Sequence, residues 1–330
     1  MLAATVASAA FAWHVKSCWQ LENAFFREAL RRSEAQATRM ENKFGKKTII
    51  FGGSSSRTTY IPTVLVEECG VPFANFGLHA GSGADVITEI AMRHANPGDT
   101  VVVALEPGFL MAQSASPTKS GGVDFLVYLD GPFPRHLKFV RLSPFRIVER
   151  FQGHTRYNLF MIMKLLRRMK PYRYVIEENL HDDGWMEVHE KRALPYDTTP
   201  TPVGRWRMGA AGRALIEAIR EECERRGCKA VYQLPPSLNG NPNARYGFAS
   251  LLLDVNSAMP VVKDPMLGVN DDPEDFADTV QHPCKQGALK ATRSFGKALS
   301  EGAFWTEKEL SDIVGEGETL GAFKEKEIRP

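Results

Sequence analysis

Five short apolar runs, rich in β-branched residues and bounded by glycine or proline, punctuate the chain: KTIIFGG (47–53), VPFANFG (71–77), DTVVVALEPG (99–108), KAVYQLPP (229–236) and MPVVKDP (259–265). Each is too short for a buried helix and too continuous for a strand with one wet face, so each reads as a strand covered on both sides. The second and third follow stretches of helical composition, and strands alternating with helices predict an α/β fold with a parallel sheet. Residues 17–44 (including FREALRRSEAQATRMENKF) are helix-forming with mixed charges and stop at Gly45, which predicts an N-terminal stalk helix. Between the third and fourth runs, residues 109–202 lose the βαβ rhythm and carry Pro/Gly clusters at 131–134 and 195–204, the pattern of an insertion. Within it RYNLFMIMKLLRRMK (156–170) sets Leu159, Ile162, Met163, Leu166 and Met169 on one helical face and Lys164, Arg167 and Arg168 on the other.

Length and composition fit one decorated domain over 46–330, preceded by a separate segment 1–45. The chain has 330 residues, 43% hydrophobic and 24% charged, enough for a sizeable core. A net charge of +2 gives no global pull toward nucleic acid, and none is expected as a partner. The first fifteen residues, MLAATVASAAFAWHV, contain no charged side chain, yet are too short to span a bilayer. They read as an anchor or signal remnant, which places the protein outside the cytoplasm, membrane-anchored in the periplasm or at a bacterial cell surface. Cys18, Cys69, Cys223, Cys228 and Cys284 form no CxxC pair and no zinc spacing; Cys223 and Cys228 lie at one helix end, where a disulfide is allowed but not implied.

The candidate chemistry sits at two element boundaries. In IIFGGSSS (49–56) two glycines let the chain turn sharply after the first strand, and Ser54 follows where a nucleophile would be exposed. The same pattern also suits a helix cap or an anion site, with Arg57 as the clamp. Near the other end, DTVQHPCKQGALKATRSFGKAL places Asp278 and His282 just before a helix opened by Pro283, so that His282 stays on the loop above the sheet. Those residues suit a base and its orienter, and equally a helix cap beside a surface histidine.

Taken together, GGS after the first strand, an N-x-G segment after the second, and an Asp/His pair before the last helix resemble the blocks of the SGNH (GDSL-like) hydrolase superfamily, over about residues 46–110 and 228–300. The resemblance implies a three-layer, flavodoxin-like parallel sheet of the SGNH type, decorated by the helical insertion and the stalk. It implies Ser54 as nucleophile, His282 as general base and Asp278 as its orienter. The oxyanion hole would come from Ser54 and a glycine of NFGLHAGSG, Gly81 in preference to Gly77. Arg57, Asn75 and His79 are the candidate substrate-binding side chains. Gly53 stands where an acidic residue usually precedes the serine, and the sequence departs from the family in three further ways: Glu106 stands where an asparagine serves the oxyanion, the Asp/His spacing is four residues rather than three, and the insertion occupies the side where substrate specificity would be set. Proteins with these departures resemble a surface-associated branch, some of whose relatives acylate polysaccharides.

The expected activity is therefore a serine esterase or O-acyltransferase working on an acylated carbohydrate or cell-envelope polymer, without cofactor or metal; the alternative is a degenerate scaffold that binds a glycan or partner protein. Glycines 77, 81 and 83 do not match a dinucleotide fingerprint, no GxSxG elbow exists, and HDDGWMEVHE (181–190) reads as a solvated loop rather than a metal site. Arg135–Arg173 holds eleven Lys/Arg against one acid, Glu149, and invites a membrane surface or an acidic glycan, or forms a solvated face near the acidic segment DPMLGVNDDPEDFAD.

Overall fold

The computed structural model describes residues 21–114, 120–130, 137–140, 163, 166, 167 and 174–324. Four of the five apolar runs pair into one parallel sheet, β1 (Thr48–Gly52), β2 (Phe73–Asn75), β3 (Thr100–Ala104) and β4 (Lys229–Tyr232), in the order β2-β1-β3-β4. The fifth is reduced to isolated bridges: Val261 pairs in parallel with Tyr232, and Val262 antiparallel with Phe304. Pro260 lacks an N–H and Pro265 ends the run, so only the residues between them can join a ladder. A second, two-stranded parallel sheet joins β5 (Ser237–Leu238) to β6 (Val269–Asn270).

Alternation along the strands explains the continuous apolar runs. Ile49, Phe51, Val101 and Val103 belong to one buried cluster, whereas Ile50, Val102, Ala104 and Val231 belong to another on the opposite face. The first cluster takes its cover from α1 (Leu21–Phe44), α4 (Ala84–Met92), α8 (Ala210–Arg226) and α9 (Ala244–Asn256). On the second face lie α3 (Pro62–Cys69) and α10 (Lys285–Ser300), the helices of Leu65 and Phe295. The other α-helices among the described residues are α2 (Ser54–Thr59), α5 (Pro107–Leu110), α6 (Ser120–Asp130), α7 (Ile176–Asn179) and α11 (Glu307–Thr319).

The N-terminal helix ends at Gly45, whose φ of 71° makes the left-handed stop that glycine allows. It is not a free-standing stalk. Phe25, Phe26, Ala29, Leu30, Ser33, Gln36, Ala37 and Met40 form a buried stripe, and Ser33 Oγ and Gln36 Nε2 donate to the carbonyls of Asn75 and Phe73 at 2.5 and 3.2 Å. The helix thus covers the β2 side of the sheet and shares its core. Residues 1–20, the terminal-anchor expectation, and nearly all of 135–173, with its amphipathic segment, lie outside the described residues. Among the described residues no helix is long and apolar enough to cross a membrane. Cys69, Cys223, Cys228 and Cys284 are free thiols, so Cys223 and Cys228 are not bridged.

Strand β1 ends against β3 at very short range. A Cβ on Gly52 would stand 2.0 Å from the Ala104 carbonyl oxygen, a backbone atom that cannot step aside. Gly52→Ala should therefore lower stability by about 1–3 kcal/mol, the usual range for overpacking, measured by urea unfolding. A wild-type midpoint in that variant would contradict this packing.

Candidate active site

Neighbours β1 and β3 carry connections that leave the sheet on opposite sides, so their carboxyl ends open a crevice, the place where open α/β sheets bind ligands. Ser54 stands there as the first residue of α2. Of the six residues of that helix, Ser55 through Thr59 are buried and Ser54 alone retains partial exposure. Its N–H and that of Ser55 open the helix and have no intrahelical acceptor.

The Asp278/His282 loop meets this serine from the far end of the chain. His282 Nε2 lies 2.8 Å from Ser54 Oγ, and Nδ1 lies 2.8 Å from Asp278 Oδ1. In the tautomer whose Nδ1–H faces the carboxylate, Nε2 is left to accept the serine proton. Both residues are largely buried, which keeps competing water from the pair. The four-residue spacing works because the loop closes on itself: Ala277 N–H donates to His282 O at 2.9 Å, His282 N–H to Thr279 O at 3.2 Å, and Phe276 bridges Pro283. The helix begins after this, capped by Cys284, so Pro283 precedes the cap rather than opening the first turn.

Sequence patterns gave no sign of Tyr174. Its hydroxyl donates to the second carboxylate oxygen, Asp278 Oδ2, at 2.8 Å, while its ring packs 5.9 Å from that of Phe25. The residue sits in the basic insertion, where neither spacing nor composition marks it out. The hydroxyl fixes the carboxylate plane and so the imidazole.

Glu106 is placed differently from the oxyanion role that the resemblance implied. Its carboxylate accepts from Ser55 Oγ at 2.5 Å and from Gly53 N–H at 3.3 Å. Both contacts use it as an acceptor, so it braces the turn that carries Ser54. A Cβ at Gly53 would stand 2.0 Å from Glu106 Oε1. The missing side chain at 53 is thus the space that the Glu106 carboxylate, on the turn after β3, fills. The glycine amides are also committed elsewhere, with Gly81 N–H donating to His79 Nδ1 at 3.1 Å and Gly77 N–H to Asn75 Oδ1 at 2.9 Å.

None of the three expected substrate-binding side chains is brought to the serine as a free group. Asn75 is fully buried and its amide donates to the carbonyls of Ser56 and Tyr60, both at 2.8 Å, which pins α2 to β2. His79 caps its own turn by accepting from the Gly81 N–H, and its ring lies near that of Phe26. Arg57 is entirely buried: Nε donates to Gly77 O at 2.6 Å, and Nη1 to Ser33 Oγ and Gly184 O at 2.7 and 2.6 Å. Burial pushes its pKa down to about 9, against a weaker opposing pull from Asp183.

The 181–190 segment is likewise packed rather than solvated. Asp183, Trp185, Met186, Glu187 and Val188 are buried, Trp185 Nε1 donates to Thr58 O at 2.8 Å, and Thr63 N–H donates to Asp183 Oδ2 at 3.0 Å. Among the described residues no cluster of His, Cys, Asp and Glu could hold a metal. Beside the serine a cleft of about 330 Å³ opens between Ser55 and Glu106 on one side and Trp206 and Phe248 on the other.

Comparison of the chain with family models, with curated proteins and with solved structures finds no match.

Two substitutions test this geometry. Arg57→Lys keeps the charge but cannot make the forked contacts, so stability should fall by about 2–4 kcal/mol on denaturant unfolding. An anion clamp would instead leave stability intact and change only ligand affinity. Tyr174→Phe should lower kcat toward an activated ester by roughly 3- to 10-fold with KM little changed, corresponding to one ordinary hydrogen bond of about 1 kcal/mol. A kcat equal to wild type would show that the hydroxyl does not position Asp278.

Proposed function

We propose that this chain is a serine-dependent ester hydrolase or O-acyltransferase of the SGNH type, acting on an acylated carbohydrate or cell-envelope polymer outside the cytoplasm. The observation that carries the reading is the unbroken contact from Ser54 through His282 to Asp278, which joins residues 228 positions apart in hydrogen-bond geometry. The strand order, with Val261 bridging Tyr232 in the place of a fifth strand, supports the flavodoxin-like layout of that superfamily. The sugar or polymer acceptor rests on the resemblance, and the extracytoplasmic setting on the uncharged start of the chain.

In the reaction Ser54 Oγ attacks the ester carbonyl carbon while His282 Nε2 takes its proton. Asp278 stabilises the imidazolium, and the oxyanion is met by the Ser54 N–H. Collapse breaks the bond to the alkoxy oxygen, which leaves with the proton from His282, and the acyl group stays on Ser54. Water or an acceptor hydroxyl then gives its proton to His282 and attacks the acyl carbon; the bond from that carbon to Ser54 Oγ breaks, and His282 returns the proton to Oγ. Glu106 takes no proton in this scheme and holds the turn in shape.

Ser54→Ala should cut turnover of p-nitrophenyl acetate by about 10⁴- to 10⁶-fold while thermal unfolding stays close to wild type. Undiminished Ser54-independent turnover would assign the chemistry to another group. A folded wild-type protein without turnover would favour the alternative, a scaffold that binds a glycan or partner protein.

A further inference from the structure

We infer that the cleft beside Ser54 is the acyl-binding pocket of the reaction proposed above, and that it selects an uncharged, apolar acyl group of intermediate length. The inference rests on that reading and adds the substrate class. Its first support is direction. The alkoxy oxygen must lie next to His282 Nε2, because it leaves with the proton held there, so the other substituent of the carbonyl carbon points away from the imidazole. The cleft begins one residue past the serine, at Ser55 and Glu106; among the described residues neither Ser54 nor the His282 ring lines it, and Gln281, beside His282 in the chain, forms part of its wall.

The second support is the lining. Beyond Ser55 and Glu106 the apolar part of the wall is formed by Pro107, Met111, Pro235, Trp206 and Phe248, and the uncharged polar residues Ser237, Asn239 and Gln281 complete it. Trp206 is held in place, edge-on to Phe248 with ring centroids 4.5 Å apart at 89°. It also lies flat on α9 where that helix has Gly247, since a Cβ there would stand 3.3 Å from the indole. A rigid aromatic wall suits methylene groups. Charge narrows the choice further. Among the described residues no Lys or Arg lines the cleft, so an acyl group with its own carboxylate finds no cation there to pair with.

Size sets the length. An apolar cavity of about 150 Å³ holds one benzene ring, so 330 Å³ accommodates on the order of twelve heavy atoms, and a chain of roughly six to ten carbons fills it with room for the carbonyl. Gly108 supplies the handle. It lines the cleft, is exposed, and a Cβ built on it meets nothing within 4 Å, so position 108 admits a larger side chain at the cleft wall without a clash.

The test measures kcat/KM for p-nitrophenyl esters from acetate to dodecanoate, in wild type and in two variants. Wild type should gain about three- to fourfold per added methylene up to six to ten carbons, then level off or fall. Gly108→Leu should move the optimum at least three carbons shorter and lower the octanoate-to-acetate ratio by tenfold or more. Met111→Ala should move it longer, and serves on its own if the leucine variant does not fold. Ser54-dependent turnover with a flat chain-length profile, or with the same optimum in both variants, would overturn the pocket while leaving the esterase reading in place. So would a shift in preference along a series of acetate esters of longer alcohols in place of the acyl series, because the cleft would then hold the leaving group. If no ester of the series is turned over through Ser54, the esterase reading itself fails and the pocket with it.

Discussion

The buried Arg57 guanidinium is the interaction on which the arrangement around Ser54 depends. Arg57 stands three residues after the candidate nucleophile, on the same short helix, and its donors reach the carbonyl of Gly77 after β2, Ser33 on the N-terminal helix and the carbonyl of Gly184 in the insertion. A helix of six residues has little stability of its own. One planar fork of donors therefore ties it to three segments that do not otherwise share an element. Burying that charge without a carboxylate in contact is costly, as its lowered pKa reflects, so the carbonyl and hydroxyl acceptors must all be in place when the chain folds.

Around this anchor the other contacts fall into order. Asn75 holds the same helix to β2 through two carbonyls, and Thr292 of α10 accepts the Ile61 N–H and donates to the Thr59 carbonyl, so both faces of the sheet grip the segment that follows Ser54. On the exposed side the turn is shaped by what is missing. Gly52 admits the backbone of β3 and Gly53 admits the carboxylate of Glu106, which in turn orders Ser55. Ser54 is left as the hydroxyl that faces the crevice, where the closed 277–282 loop and the Tyr174 hydroxyl present His282 to it. Rigid support of this kind is what a nucleophile needs in order to meet its base without reorganisation.

How much of this was legible in the sequence depended on range. The strands were readable because β-branched runs closed by glycine or proline are a local signal, and Ser54, Asp278 and His282 were readable because each stands at an element boundary with a turn residue beside it. The roles of Arg57, Asn75, Tyr174 and Glu106 were not, since each follows from partners far away in the chain; Tyr174 and Asp278 are 104 residues apart and Arg57 and Gly184 are 127 apart. Charged composition also misled. The N-terminal helix reads as a solvated stalk by its charges, yet Phe25, Ala29, Ser33, Gln36 and Met40 recur at helical spacing and mark its buried stripe. The polar run 181–190 likewise hides Trp185 and Met186, which pack under α2 and α3. The fifth apolar run failed as a strand because its prolines leave too few N–H groups to extend a ladder.

A nucleophilic serine activated by an imidazole reacts with a fluorophosphonate, and an ordinary surface serine does not. The most direct test of the account is therefore the intact mass of the protein after treatment with such a probe, with the modified peptide identified by fragmentation. The account predicts a single adduct on Ser54, formed by wild type and by Tyr174→Phe at a reduced rate, and absent from Ser54→Ala and His282→Ala. No adduct on the folded wild-type protein, or an adduct that persists in His282→Ala at the wild-type rate, would contradict it.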